Sequence, residues 1–261
     1  MTKNGNVLTG KDIHLSFDGI KALNGVDFAV EKGQIVSIIG PNGAGKTCLV
    51  NSITGYYHPQ QGQILYQDKD ILGLKPHKIA RLGISRTFQD PTTYPSMTAL
   101  DILMAGRYMH TRANMLHSMI YFGRSKREEL ESRRMVEKTI TFTHIEDLRK
   151  LPLATMSYGQ RKQVEMARAL VMEPEVIILD EPMSGLDDAM KEIVTDLILD
   201  MHDRGMTIVL IEHDIQAVME LSHSIIVLDY GEVIAEGTPL DISRNERVTQ
   251  AYLGGWSSAK Q

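Results

Sequence analysis

The first thirty residues alternate between apolar and polar positions, which is typical of strands with one buried face. The alternation is clear at 13–17 and 26–30, and the dipeptides Asp18-Gly19 and Asn24-Gly25 interrupt it. Both dipeptides favour tight turns, because their residues tolerate positive φ angles. We therefore predict antiparallel strands over 7–30, with turns at both dipeptides.

Four further segments are almost continuously apolar, as expected of strands that are buried on both faces of a sheet. They are QIVSIIG at 34–40, EVIILDEP at 175–182, TIVLIEHD at 207–214 and SIIVLD at 224–229. Apolar residues with helical spacing lie between these segments. The alternation of buried strands with helices predicts an α/β fold built around a doubly wound parallel sheet.

Residues 98–150 differ, because they contain no strand-like run and carry many Arg, Glu and Met residues at helical spacing. We predict a helical insert there. Its charged segment GRSKREELESRR, at 123–134, mixes basic and acidic residues, and we favour a solvated helix face over a docking patch. The C-terminal residues predict a helix followed by a polar tail.

Composition adds limits on compartment and partners. The chain has 261 residues, of which 43% are apolar, and its net charge of −5 gives no electrostatic case for nucleic acid as a partner. A single cysteine, Cys48, excludes an internal disulfide framework and suits a reducing compartment. Neither a signal peptide nor an apolar stretch of ~18 residues is visible. We expect a cytoplasmic chain that reaches membranes only through a partner.

The segment GPNGAGKT follows the first buried strand and opens a helix that we expect to end at Gly55. It fits the phosphate-binding pattern G-x-x-x-x-G-K-[ST], in which glycines let backbone amides converge on phosphate oxygens. Lys46 adds a positive charge and Thr47 offers a hydroxyl to Mg²⁺. Cys48 follows, and we interpret it as a small packed side chain because no partner base is evident. The predicted nucleotide-binding residues here are Gly40, Pro41, Asn42, Gly43, Ala44, Gly45, Lys46, Thr47 and Cys48.

Acidic and polar residues follow the later buried strands, at the sheet edge where α/β proteins bind ligands. Asp180 suits the Mg²⁺ shell, and Glu181 can polarise an attacking water; helix capping is the alternative for this pair. His213 is expected at the same edge, where it hydrogen-bonds phosphate or orients Glu181. Gln89 can reach Mg²⁺ and water from a loop, and Phe17 can stack on a purine. ATP is the expected nucleotide, since no Asn-Lys-x-Asp tetrad is present.

A second anion site is predicted at MSYGQRKQVEMARAL, residues 156–170. Ser157 is a natural N-cap, Gln160 completes a capping box, and Gly159 permits close approach to the backbone. This helix leads into the strand that ends at Asp180, with Glu181 following 21 residues after Gln160. We therefore expect the start of the helix to point away from the carboxyl end of that strand, so that the two anion sites face different ways.

These motifs, in this order, resemble the nucleotide-binding subunit of ATP-binding cassette (ABC) transporters. The resemblance assigns Phe17 to adenine stacking, residues 40–47 to the Walker A motif, Gln89 to the Q-loop, Ser157-Tyr158-Gly159-Gln160 to the signature motif, Asp180 and Glu181 to Walker B, Ser184-Gly185-Leu186-Asp187 to the D-loop and His213 to the switch histidine. It implies one P-loop NTPase cassette over 1–261. The RecA-like core and an N-terminal antiparallel β-subdomain occupy mainly 7–97 and 160–240, and an α-helical subdomain occupies mainly 98–159.

A narrower resemblance links the chain to the ATPase subunits of branched-chain amino acid importers. It rests on the signature SYGQ, on ARLGISRTFQ and on the ending GTPLDISRNERVTQAYLGG. It implies ATP and Mg²⁺ as cofactors, and head-to-tail pairing with a second cassette, either a copy or a paralogue, with a paralogue favoured. Membrane permease subunits and an external solute-binding protein are the other implied partners, with the chain on the cytoplasmic face of the membrane.

Two other functions stay open at this stage. The ATPase of a lipid or lipopolysaccharide exporter shares the same chemistry. A non-transport ABC ATPase that acts on DNA or ribosomes is less favoured, because the chain has one cassette, no sustained heptads and an acidic balance. We expect the ring of Tyr158 to fold away from the partner's nucleotide, leaving the contact to Ser157 and Gly159.

Overall fold

The structure is a computed structural model that describes residues 5–87, 95–107 and 124–251, except for the side chains of 124–126. The predicted Q-loop residue Gln89, part of the helical insert and the polar tail lie outside these residues. The strands are β1 (Asn6–Phe17), β2 (Ile20–Glu31), β3 (Ile35–Ile39), β4 (Gln61–Tyr66), β5 (Lys69–Asp70), β6 (Ile84–Arg86), β7 (Val176–Asp180), β8 (Thr207–Ile211), β9 (Ser224–Asp229) and β10 (Glu232–Gly237). The described helices are α1 (Lys46–Ile53), α2 (Pro76–Leu82), α3 (Ala99–Arg107), α4 (Arg124–Phe142), α5 (Tyr158–Leu170), α6 (Asp188–Asp203), α7 (Ile215–Leu221), α8 (Pro239–Ser243) and α9 (Glu246–Ala251).

Four strands within residues 6–70 form an antiparallel sheet with strand order β2-β1-β4-β5. The predicted turn at Asp18-Gly19 is confirmed, because it joins β1 to β2. The predicted turn at Asn24-Gly25 is wrong, because β2 runs straight through it. Ile13 pairs with Val26 while His14 pairs with Asn24, so Gly25 is the extra residue of a β-bulge, with φ +74°. The positive φ that suits a turn here serves a bulge instead.

The second sheet has the strand order β10-β9-β3-β8-β7-β6, and all its pairs are parallel except β9 with β10. The four strands predicted from continuous apolar runs are confirmed as β3, β7, β8 and β9. Alternate residues of β7 explain the run: Val176 and Ile178 pack towards α1 and the antiparallel sheet, while Ile177 and Leu179 pack towards α5 and α6. The α/β fold class is therefore confirmed.

The region between the two halves of the sheet is helical where it is described. α3, α4 and α5 enclose a separate apolar cluster that includes Leu103, Ile140 and Val164. On the charged segment of α4, Arg133 pairs with Glu129 one turn away and both are solvent-accessible, as a solvated helix face requires. None of the described helices is both long enough and apolar enough to cross a membrane.

Candidate active site

β3 leads directly into the phosphate-binding loop predicted at 40–47. Gly40 has φ +153°, and a Cβ there would lie 2.1 Å from the carbonyl oxygen of Leu228, so any larger residue would clash with the backbone of β9. Gly45 precedes α1 with φ +104°, and no described side chain caps that helix. The first amides of α1 are therefore left to an external acceptor, the arrangement by which helix N-termini bind phosphate. As predicted, α1 stops just before Gly55, which has φ +77°.

Lys46 lies across this loop with its side chain buried. Its Nζ donates hydrogen bonds to the carbonyl oxygens of Gly40 at 2.6 Å and Pro41 at 3.1 Å. Burial lowers the pKa of Lys46, while the negative charges of Glu181 and Asp180 oppose that shift. The ammonium group therefore sits over the loop within electrostatic reach of both acids.

The two residues after Lys46 differ in environment. Thr47 is exposed on the first turn of α1, where its hydroxyl is accessible. Cys48 is half-buried against the main core, and burial raises the pKa of its thiol. A raised pKa disfavours the nucleophilic thiolate, in line with the interpretation of Cys48 as a packing residue.

Asp180, the last residue of β7, is almost fully buried and forms an ion pair with Arg86 of β6. The distance from Arg86 Nη2 to Asp180 Oδ2 is 2.6 Å. The other terminal nitrogen of Arg86 donates to Asn51 Oδ1 on α1, also at 2.6 Å. The guanidinium of Arg86 thus links α1, β6 and the Asp180 carboxylate at the end of β7. The sequence predicts no role for Arg86, because it does not show that this side chain is buried beside Asp180.

Glu181 lies where β7 leaves the sheet and has φ +50°. Left-handed backbone at a residue with a side chain costs roughly 1–3 kcal/mol and is found where neighbouring structure enforces it. The amide of Glu181 donates to the carbonyl of Ile211 on β8 at 2.8 Å. Its Oε1 lies 2.9 Å from His213 Nε2. The structure thus brings together the two residues predicted to be catalytic, at adjacent strand ends.

Glu212 is a further buried residue of this edge that sequence reasoning passed over. Its Oε1 accepts from the amide of Met183 at 2.7 Å and its Oε2 from the amide of His213 at 3.0 Å. Burial raises the pKa of Glu212, and these backbone amides oppose the shift by stabilising the carboxylate. Glu212 therefore fixes the loop after Glu181 and the backbone of His213 to each other.

The start of α5 forms the predicted capping box. Ser157 Oγ accepts from the amide of Gln160 at 3.2 Å, and Gln160 Oε1 accepts from the amide of Ser157 at 2.9 Å. Ser157 itself is exposed. The prediction of a capped helix is confirmed.

The predicted direction of this helix is wrong. Lys162, in the first turns of α5, donates from Nζ to the carbonyl oxygen of Glu181 at 2.7 Å. The start of α5 therefore lies beside the carboxyl end of β7. The reason is topological: a helix that feeds a parallel strand runs back along the sheet, so it begins at the edge where the strands end.

The segment after Glu181 packs against the start of α5. A Cβ added at Gly185 would lie 3.1 Å from the ring of Tyr158, and one at Gly159 would lie 2.9 Å from the side chain of Met190 on α6. The Tyr158 ring thus rests on its own chain. Ser184 is exposed, and Asp187 caps α6 by accepting from the amide of Met190 at 2.9 Å.

Phe17, the predicted stacking residue, ends β1 and is 43% exposed. Its ring meets that of Tyr57 edge-on, with 5.0 Å between the centroids, and leaves ring surface accessible to a base. Pro41, Asn42, Gly43 and Ala44 complete the loop between Gly40 and Gly45. Gln89 lies outside the described residues.

The available oxygen ligands suit Mg²⁺ rather than a metal ion that is coordinated only by protein side chains. Within the described parts of the chain, no group of three or more His, Cys, Asp or Glu residues is placed to hold a metal ion. Mg²⁺ commonly uses one or two protein oxygens and takes its other ligands from water and substrate phosphates. Thr47 and Asp180 supply a hydroxyl and a carboxylate of this kind.

Comparison with known proteins decides the family. The ABC transporter family model matches residues 23–184, more than half of the chain. The chain belongs to the ABC transporter family. A second family model, for branched-chain amino acid ATP-binding cassette transporters, matches residues 232–255. The chain is thus an ATPase subunit of ABC type.

Several ABC relatives align over nearly their whole length. The high-affinity branched-chain amino acid transport ATP-binding protein BraF of Pseudomonas aeruginosa is 36% identical, covering 95% of this chain and 98% of that protein. The probable branched-chain amino acid transport ATP-binding protein LivG of Archaeoglobus fulgidus is 34% identical, covering 97% of each. LivG of Escherichia coli K12 is 33% identical, covering 95% of this chain and 98% of that protein.

Solved structures show the same ABC cassette fold. A nucleotide-free ATP-binding cassette from an ABC transporter superposes with a TM-score of 0.83 at 31% identity, covering 95% of this chain and 98% of that chain. The ADP conformation of MJ1267 gives 0.82 at 31% identity, covering 95% and 99%. The dimeric structure of the bacterial cassette MJ0796 gives 0.74 at 25% identity, covering 89% and 98%.

Proposed function

We propose that this chain powers the uptake of branched-chain amino acids, or of related small acids and amides, as the ATPase subunit of an ABC importer. The names of its relatives and the match at 232–255 support this solute class over lipid export and over action on DNA or ribosomes. Residues 98–159 form mainly its helical subdomain, and residues 7–97 and 160–240 form mainly its RecA-like core and β-subdomain.

The phosphate loop binds ATP through the amides of residues 40–47 and the ammonium group of Lys46, with Phe17 against the adenine. The side chains of Thr47, Asp180 and Gln89 hold Mg²⁺. When bound, this ion neutralises phosphate charge and orients the phosphate oxygens. Arg86, paired with Asp180 at 2.6 Å, holds that buried carboxylate in a fixed direction.

Glu181 acts on the water that attacks the terminal phosphate, as a general base or by polarising it. The 2.9 Å contact with His213 orients its carboxylate. Glu212 holds the backbone next to Glu181 and His213 in place, because its carboxylate accepts hydrogen bonds from the amides of Met183 and His213.

The signature helix serves a second copy or a paralogue. Ser157 is exposed at the capped start of α5, and Gly159 follows it in the first turn. We propose that two cassettes close head to tail, so that Ser157 and Gly159 of each contact the nucleotide on the other's Walker A loop. Gln160 supports this contact as the capping partner, Tyr158 packs beside it, and Ser184 and Asp187 line the same interface. The observation that carries the proposal is that one chain contains both a phosphate-binding loop and a separate capped helix start at α5.

Permease subunits are the proposed membrane partners, with the chain on the cytoplasmic face and a solute-binding protein outside. The test is reconstitution of the chain, its partner cassette, permease and binding protein in vesicles. We expect ATP enclosed with the cassettes to drive movement of labelled leucine towards them, and Lys46→Ala to abolish it. Transport of leucine in the opposite direction, or ATP-driven transport of lipid alone, would contradict the proposal.

A further inference from the structure

Lys162 connects the signature helix to Glu181 within one chain. Only 4% of Lys162 is exposed, and its Nζ donates to the carbonyl oxygen of Glu181 at 2.7 Å. The ring centroid of Tyr158 lies 5.6 Å from the same nitrogen. The charge is therefore held between a residue of the signature motif and the backbone of the proposed base.

The backbone of Glu181 depends on such support, because its φ of +50° is unfavourable for a residue with a side chain. Its amide is held by the carbonyl of Ile211 at 2.8 Å, and its carbonyl also accepts from the amide of Ser184 at 3.3 Å. Those two contacts come from the neighbouring strand and from the local turn. The bond from Lys162 comes from α5, and a charged donor makes a stronger hydrogen bond than a neutral amide.

We propose that Lys162 is a positioning residue for Glu181: it fixes the peptide from which the Glu181 carboxylate projects. This inference rests on the proposed function, in which Glu181 acts on water. It adds that the helix proposed to contact one nucleotide also sets the geometry at the other, since Ser157 caps α5 and Lys162 lies in its first turns.

The test compares Lys162→Met, which keeps length and removes the donor, with Lys162→Arg, which keeps a donor, in the full chain paired with its cassette partner. Lys138→Met, at an exposed position of α4, is the matched control. We expect Lys162→Met to lower kcat by about ten- to a hundredfold, because small misplacement of a catalytic group costs rates of this order. The KM for ATP should stay within about twofold, since the phosphate loop is untouched, and Lys162→Arg should recover most of kcat. If Lys162→Met does not fold, Lys162→Leu, which also lacks a donor, replaces it, with the same expectation.

A second measurement separates positioning from damage to the signature helix. Adding Lys162→Met to Glu181→Gln should not slow single-turnover hydrolysis further, and ATP should still drive dimer formation by the double variant. An unchanged kcat in Lys162→Met, an additive loss in the double variant, or loss of ATP-driven dimers would each overturn the inference. Failure of the proposed function looks different: Glu181→Gln alone would then hydrolyse ATP at the wild-type rate.

Discussion

His213 Nε2 lies 2.9 Å from Glu181 Oε1, although the two residues are 32 positions apart in the sequence. They meet because β7 and β8 are neighbouring parallel strands and each residue stands just past the end of its strand. A carboxylate with one oxygen held by an imidazole keeps its other oxygen in a defined direction. The contact therefore follows from the pairing of the two strands.

Glu181→Gln should bind ATP but hydrolyse it about 10²–10⁴-fold more slowly, since the amide cannot accept a proton from water. ATP should then hold the cassettes together, which gel filtration with and without ATP can detect alongside phosphate release. A steady-state rate close to that of the wild type would remove Glu181 from the mechanism.

Ser157→Ala should slow hydrolysis by about 10²–10³-fold in the assembled dimer, the usual effect of losing a donor aimed at developing charge. The substitution also removes a helix cap, which alone costs about 0.5–2 kcal/mol of stability. Thr238→Ala is the matched control, because Thr238 forms an equivalent capping box with Asp241 at the start of α8. Its stability loss should be similar and its rate unchanged. An equal slowing by both variants would attribute the effect to stability rather than to the nucleotide.

Arg86→Met should lower the free energy of unfolding by about 3–5 kcal/mol at neutral pH, because it leaves the buried Asp180 carboxylate without its counter-charge. Urea unfolding without nucleotide or magnesium measures this directly. Arg133→Met, which breaks the exposed pair with Glu129, should cost no more than about 0.2–1 kcal/mol. The double variant Arg86→Met/Asp180→Asn should be less destabilised than the sum of its single variants. A loss in Arg86→Met no larger than in Arg133→Met would show that the pair contributes little.

His223 should make folding sensitive to mild acid. Burial and the nearby ring of His202 lower the pKa of His223 below its ordinary 6.5, and its Nδ1 accepts the amide of Ile35 at 3.2 Å. A group whose pKa is lower in the folded than in the unfolded protein contributes its full share of folding stability at pH values above its unfolded pKa. That stability is lost as the pH falls through the folded pKa. His223→Asn keeps an acceptor near this position and should abolish the part of the acid-induced loss of stability that is due to His223. Urea unfolding between neutral and mildly acidic pH measures this difference. Identical pH profiles for the two proteins would contradict the prediction.

The strands buried on both faces are predictable from sequence because burial on both sides demands an unbroken apolar run. β6 is not predictable in this way, since Ile84–Arg86 is only three residues long and two of them are polar. It is a strand because β7 offers it an edge. The Asn24-Gly25 bulge has the same local chemistry as a hairpin turn, and only pairing along β1 decides between them.

The candidate site likewise contains residues that can be predicted from the sequence and residues that cannot. The residues of the phosphate loop are adjacent in the sequence, and so are Asp180 and Glu181 at the end of β7. The chemistry of each segment can therefore be predicted from the sequence. Arg86 and Lys162 act on partners 94 and 19 positions away, and a sequence does not show that an Arg or Lys is buried. The direction of α5 was open to prediction, because a helix leading into a parallel strand begins at the edge where the strands end.

The capping box at Ser157 has one further consequence. Of the amides that begin α5, those of Ser157 and Gln160 are already bonded within the box, which leaves those of Tyr158 and Gly159 outside it. The hydroxyl of Ser157 accepts through a lone pair, so its proton stays free for another acceptor. We therefore expect the first turn of α5 to favour a nucleotide that carries a terminal phosphate over one that lacks it, because donors not used within the helix suit an oxyanion.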